Sequence, residues 1–576
     1  MKKYISILII LSSTITFAQV KDTLGTEVIN VVKAYSPTVS DAFKIKSSPE
    51  IDTTKVDSKK KLSYSIFSIP VASTFTPAKG KAKVLKINPS PLVYDNYISA
   101  GFGNFTTPGV EIFVHRNSNR YNDFGAFFNF ISSKGGIKDI TLNDDYFDTR
   151  LDLFYKHKER KFDWQINGGF RLEKYNWYGL PEHINFTETL LEGISEKIKY
   201  LDAYIGGKID YKDSFFQGGT VESNSFTDGD GSAELHFLAK PKIEFPIASE
   251  YINAETRIEF LNGRFTSDYD NLDDLKYTFF NIGFSPSLEI LRNNLTVNLG
   301  VHLLYSSGSG SGNESKGYYY PNVTASYKLI DEVLTLYGGI TGGLHQNTFK
   351  GYANENPFVS PTLHIKRTDE QYNGFFGLKG KLASNIAYNF KASYKNERDK
   401  PLYKLNVAKT DGNLPTTRNY EIGNSFNVIY DTIATISAFG EVTIDLSKQF
   451  KLGGNFEFNQ YDTKNEAEAW NLPSLKASVF TNYNNDNWFA GADLFYVGNR
   501  KDQLIINVPA IPTYTVTNIN LGDYVDLNLN GGYKFNEKLT VFAKVNNVMN
   551  SNYQKYTNFY VQGLQVFGGL TYKFDF

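Results

Sequence analysis

Side chains that could carry out chemistry are few in this sequence, and their spacing forms no known catalytic or metal-binding pattern. The chain of 576 residues contains no cysteine, which excludes disulfide frameworks, thiolate metal sites and cysteine nucleophiles. It has neither a Gly-x-Ser-x-Gly elbow nor a phosphate-binding loop. The seven histidines are scattered, with no pair at metal-ligand spacing: His115, His157, His183, His236, His302, His345 and His364. The sequence therefore predicts no catalytic residue, no metal site and no cofactor, and a protein that is not an enzyme.

Two acidic segments are the remaining candidates for ion binding. Asp228-Gly229-Asp230-Gly231 is similar to part of a calcium loop, but the downstream carboxylates of an EF-hand are missing. The second segment groups Asp268, Asp270, Asn271, Asp273 and Asp274. We expect both to be solvated outer loops, with weak calcium binding as the alternative. The net charge of −1 argues against nucleic-acid binding, which requires a strongly basic face.

Strands with alternating apolar and polar residues are the elements that would position these side chains. The clearest is Val525–Phe535, where the apolar residues face one way and Asp526, Asn528, Asn530 and Lys534 face the other. Similar segments follow one another from about Tyr94 to Phe576, and the chain is rich in Phe, Tyr and Gly. We predict an all-β fold, a transmembrane antiparallel β-barrel of about 22 strands (range 20–23).

The segments between these strands differ in length. Asn536–Lys538 and Ser447–Gln449 read as tight turns, whereas Trp177–Glu196, Lys400–Arg418 and Asn499–Tyr524 read as long loops. Alternation of short turns and long loops is typical of outer-membrane barrels, and the long loops are expected to bind ligand. The four tryptophans lie within or beside strands and are expected to be interfacial anchors: Trp164, Trp177, Trp470 and Trp488.

The last strand of the chain indicates a membrane location. Gly563–Phe576 alternates over a length that crosses a bilayer when tilted, and it ends on an aromatic residue. Leu570, Tyr572, Phe574 and Phe576 resemble the signal read by the barrel-assembly machinery. We therefore expect the bacterial outer membrane as the location, with its lipid and that machinery as partners.

The amino terminus divides into two further segments. Residues 1–18 read as a secretory signal peptide, with Lys2 and Lys3 before a short apolar stretch. Residues 19–92 are polar, proline-punctuated and unpatterned, which favours a periplasmic or lumen-threading arm; a small independent fold is the alternative. Residues 93–576 would form the barrel.

The C-terminal region resembles the TonB-dependent receptors of the bacterial outer membrane. The resemblance rests on Asp523–Leu527, on Leu539–Asn550 with Tyr553, and on the closing Gly568–Phe574. It implies a barrel that binds an unidentified small ligand and transports it across the outer membrane. A full plug domain, which that family carries, has no counterpart in the 60 residues 33–92 of the arm, although Ser63–Ala72 could be a reduced plug.

The arm also contains a segment similar to a TonB box. Glu27, Val28, Ile29, Asn30, Val31 and Val32 follow shortly after the predicted cleavage site. Such a segment would add a strand to the sheet edge of TonB, which makes TonB an expected partner. A chance apolar run, or a strand pairing inside the barrel, is the alternative. At the level of function, two alternatives remain open, a scaffolding barrel that docks other envelope proteins and a passive channel.

Overall fold

A computed structural model of the chain describes residues 94–576, apart from residues 118–119, 213, 248–249, 272, 311–313, 414, 417 and 508–513. The predicted signal peptide, the arm and Glu27–Val32 lie outside the described residues, so these remain predictions. The described chain forms one 22-stranded antiparallel sheet. Its first and last strands pair with each other, from Asn96 opposite Phe574 to Gly103 opposite Phe567. The sheet is therefore a closed barrel, and the predicted all-β fold of about 22 strands is confirmed.

The barrel strands follow one another in chain order. They are β1 (Asn96–Gly103), β2 (Thr107–Asn117), β3 (Asn122–Ser133), β4 (Tyr146–Lys158), β5 (Phe162–Asn176), β6 (Lys197–Tyr211), β7 (Phe216–Asp228), β8 (Ala233–Ile247), β9 (Glu250–Phe265), β10 (Leu275–Arg292), β11 (Leu295–Ser309), β12 (Lys316–Ile330), β13 (Leu334–Gln346), β14 (Arg367–Ala383), β15 (Ile386–Leu405), β16 (Phe426–Asp445), β17 (Phe450–Thr463), β18 (Leu475–Asn484), β19 (Trp488–Val497), β22 (Tyr524–Lys534), β23 (Leu539–Asn546) and β26 (Gln565–Phe574).

The remaining elements lie in the connections between barrel strands. Two small hairpins are β20 (Lys501–Asn507) with β21 (Tyr514–Asn520), and β24 (Gln554–Tyr556) with β25 (Phe559–Tyr560). The helices are Glu188–Gly193, Phe349–Glu355 and the 3-10 turn Asn419–Glu421. In the described part of the chain, no helix is long and apolar enough to cross a membrane.

The alternation predicted from the sequence is present in the barrel wall. On β26, Val566, Leu570 and Tyr572 are 45%, 52% and 48% exposed on the outer face. On β22, Leu529 is exposed while Asp526 is buried and accepts a hydrogen bond from the Tyr553 hydroxyl at 2.9 Å. Period-two patterning therefore separates an apolar outer face from a polar inner face, as a barrel in lipid requires.

Phe567 interrupts this alternation, because it is a bulky ring on the inner face of β26. Glycines on the two strands beyond it make room for the ring. A Cβ at Gly101 would lie 2.5 Å from Phe567 Cε1, and one at Gly109 would lie 2.8 Å from Phe567 Cζ. The ring therefore packs flat against the wall where the first and last strands meet, and only glycine fits beneath it.

The two ends of the barrel differ. At the turn end, residues 446–449 and 535–538 join neighbouring strands, which confirms both predicted tight turns. At the loop end, the long connections include 134–145, 177–196, 347–366, 406–425, 498–523 and 547–564. The predicted loop Lys400–Arg418 is wrong at its start, because β15 continues to Leu405 and pairs with β16 over that whole length. This stretch contains Pro401, and for that reason the end of a long strand was predicted as a loop.

Candidate functional site at the loop end

The loop end contains the main hydrophobic core of the molecule, which we call the loop-end core. It joins the loop-end parts of six strands to residues from five loops; the strands are β6, β7, β9, β10, β15 and β16. Its centre is Phe349, which packs edge-on against Phe226 at 5.2 Å, Phe265 at 5.0 Å and Tyr200 at 6.1 Å between ring centroids. Such aromatic pairs are favourable beyond the area that they bury, so the loops are packed inward rather than splayed.

The helix Phe349–Glu355 is fixed at its start by two caps. Thr348 Oγ1 accepts a hydrogen bond from Gly351 N at 2.9 Å. The Glu234 carboxylate, on β8, accepts hydrogen bonds from Phe349 N at 2.7 Å, Lys350 N at 3.2 Å and the Tyr277 hydroxyl at 2.7 Å. A carboxylate at this position satisfies free amide donors and complements the helix dipole. The barrel wall therefore holds the first turn of the helix.

Loop 347–366 extends from this helix across the barrel opening. The Tyr200 hydroxyl on β6 donates to Pro357 O at 2.9 Å, while the Tyr403 hydroxyl on β15 donates to Glu355 Oε2 at 2.9 Å. Phe358 stacks on Phe559 of the last loop, with ring centroids 3.7 Å apart. Because β6 and β15 are nine strands apart around the barrel, the loop bridges distant parts of the wall.

A second contact joins loop 406–425 to loop 266–274. Arg418 donates to Ser267 Oγ at 2.6 Å, Asp268 O at 2.7 Å and Tyr269 O at 2.9 Å. Glu421 accepts from Arg418 and from Lys409. Burial alone would raise the pKa of Glu421, but these hydrogen bonds outweigh it and hold the pKa below its ordinary value. The carboxylate is therefore charged and holds both cations in place.

Two cavities flank the loop-end core. The larger, of about 530 Å³, lies between Tyr269, Leu405, Lys409 and the hairpin residues Ile505 and Val516. This volume is within the range of small-ligand sites. The smaller, of about 230 Å³, we call the tyrosine cavity because Tyr146, Tyr175, Tyr178 and Tyr560 line it, together with Asn176 and Lys555. Apolar walls with a few polar groups suit binding more than catalysis.

The carboxylates of the two acidic segments accept hydrogen bonds from backbone amides of their own segments. Asp228 Oδ1 accepts hydrogen bonds from Asp230 N and Ser232 N, and both carboxylates are partly buried, so the expectation of a solvated loop is wrong there. Burial and the neighbouring Asp228 raise the pKa of Asp230 to about 6. Asp268 accepts from Asp270 N and contacts His364 Nε2 at 2.9 Å. Among the described residues, no group of three or more histidine, aspartate or glutamate side chains is placed to hold a metal ion.

Two of the four tryptophans contradict the prediction of interfacial anchoring. Trp177 is 1% exposed and packs edge-on against Tyr420, and Trp470 is 0% exposed and donates from Nε1 to Glu466 at 2.7 Å. Both belong to the folded loops, not to a lipid interface. Trp488 is 55% exposed at the turn end, and Trp164 packs against Tyr155. For these two, interfacial anchoring stays a prediction.

The predicted assembly residues are all at the end of the barrel seam. Leu570 and Tyr572 are exposed on the outer face of β26, and Phe576 is 78% exposed and packs edge-on against Phe574. Their role in assembly stays a prediction. Glu234 and the inward packing of loop 347–366 were not predicted from the sequence. The available signal was the content of that loop, which carries Phe349, Tyr352, Phe358 and Leu363 where a solvated loop would be polar.

No protein-family model matches the chain, and no curated protein matches it either. Solved structures do. The pyoverdine outer membrane receptor FpvA of Pseudomonas aeruginosa PAO1 superposes with a TM-score of 0.60 at 11% identity, covering 84% of this chain and 78% of that one. The ferric enterobactin receptor PfeA of P. aeruginosa gives 0.58 at 10%, covering 83% and 80%.

The ferric-catecholate import receptor Fiu of Escherichia coli K12 also gives a TM-score of 0.58 at 10% identity, covering 83% of this chain and 82% of that one. All three are TonB-dependent receptors with 22-stranded barrels. Sequence identities this low establish a shared fold, but they do not establish a shared ligand or function. The described chain therefore resembles the TonB-dependent receptors in its barrel fold, as its closing strands predicted.

Proposed function

We propose that this chain is an outer-membrane receptor that binds a small ligand at its loop end and admits it across the membrane. The observation that carries the proposal is loop 347–366, which bridges the barrel opening between β6 and β15. A barrel of this strand number is wide enough to hold an open aqueous channel or a filled lumen. Packed loops with cavities beside them suit a gated receptor better than a passive channel.

Location in the outer membrane is supported by the exposed apolar residues of the wall. Leu153, Ile205, Leu303 and Leu494 are each at least 40% exposed although they belong to well-paired strands. In water such a surface would be an aggregation hazard. In lipid it is the outer band of a barrel. We propose that barrel-assembly machinery inserts the chain by reading Leu570, Tyr572, Phe574 and Phe576.

The proposed transport requires free energy to displace loop 347–366, and we propose that TonB supplies it. Displacing loop 347–366 would break several buried hydrogen bonds and aromatic contacts, and a weakly binding ligand could not supply that free energy by itself. We propose that Glu27–Val32 pairs as an added strand with TonB, which would then pull on the receptor. Scaffolding of other envelope proteins would need no such segment.

A pull-down with purified TonB tests this mechanism. The full chain should retain TonB, and deletion of Glu27–Val32 should abolish that retention. Deletion of the equally long segment Val56–Lys61 in the same arm is the matched control and should leave retention unchanged. Retention that survives the first deletion would contradict TonB engagement, and loss of another co-purifying envelope protein would favour the scaffold.

A further inference from the structure

A group of cations lies on the outer face of the barrel at the loop end. Its members are exposed, and we call them the basic rim: Lys197 and Lys199 on β6, Arg264 on β9 and Lys276 on β10. The β6 pair has the parity of Leu201, which is 44% exposed on the outer face, and Lys276 has the parity of Phe280, which is 42% exposed there. Arg264 is the cross-strand partner of Lys276, and such partners are on the same face of a sheet. All four residues therefore face away from the lumen.

The basic rim begins where the apolar outer band of the wall ends. On β6, the next outward residue from Leu201 toward the loop end is Lys199. On β10, the outward residues change from Phe280 to Thr278 and then to Lys276. Because the apolar band of a barrel spans the hydrocarbon core of a membrane, side chains just beyond it reach the level of the lipid headgroups. Long cationic side chains are favourable at that level.

The charges of the rim are close together and are poorly neutralised by the protein. Arg264 lies directly opposite Lys276 in the pairing of β9 with β10, and like charges in that position repel each other. Lys276 Nζ is 3.6 Å from Asp274 Oδ2, but the two side chains are 72% and 61% exposed, so this ion pair contributes little. The side chains of Lys199 and Arg264 form no hydrogen bond or ion pair with the described part of the chain. The rim is therefore available to an external anion.

The outward residues at the loop end near the seam have a different character. Phe102 on β1 is 61% exposed and pairs with Pro108 on β2. Val566, near the loop end of β26, is 45% exposed. The cations of the rim are therefore concentrated on the side of the barrel formed by β6 to β10. A local concentration of this kind favours one bound headgroup over a general attraction to the membrane surface.

The spacing within the rim indicates how many anionic groups the headgroup carries. Lys197 and Lys199 form one pair on β6, and Arg264 and Lys276 form a second pair across β9 and β10. Lys199 and Arg264 are on strands three apart in the sheet, which is roughly 15 Å at the ordinary strand spacing. A single phosphate can contact one pair but not both. A headgroup with two phosphates on a sugar disaccharide is large enough to reach each pair with one phosphate.

We propose that the basic rim binds the phosphates of a multiply phosphorylated lipid in the membrane leaflet at the loop end. The acyl chains of this lipid would lie on the apolar outward residues beside the rim, among them Leu201 and Phe280, while its phosphates contact the four cations. The inference goes beyond the proposed receptor function and rests on the proposed location of the barrel in the outer membrane.

Native mass spectrometry of the full chain in detergent micelles tests the proposal, with diphosphoryl lipid A as the probe. This lipid should bind, and the double variant Lys199→Gln with Arg264→Gln should bind it about thirty-fold more weakly. The unmodified chain should bind monophosphoryl lipid A and phosphatidylcholine more weakly than the probe, and added salt should weaken binding of the probe. The matched control is the double variant Arg160→Gln with Lys448→Gln, which removes two exposed cations at the turn end and should leave the affinity unchanged.

Four results would overturn the proposal. They are equal binding of diphosphoryl lipid A and phosphatidylcholine, equal binding of the diphosphoryl and monophosphoryl forms, equal affinity of the two double variants for the probe, and binding of the probe that salt does not weaken. Heat-modifiable migration in detergent gels checks that each variant is folded, and the salt and lipid comparisons need no variant. TonB retention by the arm is measured separately, so the lipid site can fail while the receptor function stands.

Discussion

At the scale of single residues, Glu234 does the most to hold the loop end together. Its buried carboxylate accepts from two helix amides and one tyrosine hydroxyl. We expect Glu234→Gln to loosen the helix Phe349–Glu355, because an amide nitrogen cannot accept from a backbone N–H. A loss of about 2 kcal/mol should speed amide exchange in residues 347–356 about thirty-fold, measured by hydrogen exchange with mass spectrometry. Glu222→Gln, at an exposed site on β7, is the control and should leave exchange unchanged. If Glu234→Gln were as protected from exchange as the unmodified chain, Glu234 would not have this role.

Asp502 gives a pH-dependent prediction at the base of the β20–β21 hairpin. The residue is 0% exposed and accepts hydrogen bonds from Thr557 Oγ1, Gln503 N and Leu405 N. Burial raises the pKa of Asp502 above its ordinary value despite these hydrogen bonds. The folded hairpin therefore favours the protonated acid, so its stabilisation is full below the ordinary pKa and is lost as pH rises through the raised one.

Limited proteolysis of loop 498–523 should therefore be slower at pH 5 than at pH 8. Asp502→Asn, which is uncharged at both values, should slow cleavage at pH 8 and remove the difference between them. The exposed turn residue Asp486 supplies the control variant Asp486→Asn, which should preserve the difference. Faster cleavage of Asp502→Asn at pH 8 would show that the charged carboxylate stabilises the hairpin.

At the scale of elements, strands were predictable and folded loops were not. Alternation in Val525–Phe535 is local information, since each residue's face depends only on its parity. The inward packing of Phe349 depends on Phe226 and Phe265, more than eighty residues away in the chain. Trp470 was misassigned for the same reason, because Lys404, which lies over its ring, is more than sixty residues away in the chain. The candidate site could be located in the long loops, but its residues could not be chosen.

The terminal element β26 carries its own prediction. Phe576 is exposed and contacts Phe574 only at its edge, so Phe576→Ala removes little packing from the finished barrel. If Phe576 belongs to an assembly signal, the variant should accumulate much less folded barrel in cells while its purified form keeps ordinary stability. Heat-modifiable migration in detergent gels measures the folded fraction. Phe535→Ala removes another exposed aromatic residue at the turn end and should assemble normally; equal loss in both variants would argue against a signal at Phe576.

At the scale of the whole molecule, the barrel wall and the loop-end core have separate roles. The wall is continuous through 22 strands and closes on itself without loop 347–366. Replacing residues 348–365 by a short Gly–Ser linker should therefore leave a heat-modifiable barrel but open its lumen. In planar bilayers, we expect the unmodified chain to have a low conductance. The variant should show large steady openings, as wide barrels do when the lumen is empty.

The β20–β21 hairpin provides the control for that measurement, since it pairs outside the barrel sheet. Removing Lys501–Asn520 shortens a loop at the same end without touching the bridge between β6 and β15, so conductance should stay low. Large openings in the unmodified chain would identify a passive channel instead of a receptor. Low conductance in the 348–365 variant would mean that loop 347–366 is not what closes the barrel, and that ligand entry must be gated by another part of the molecule.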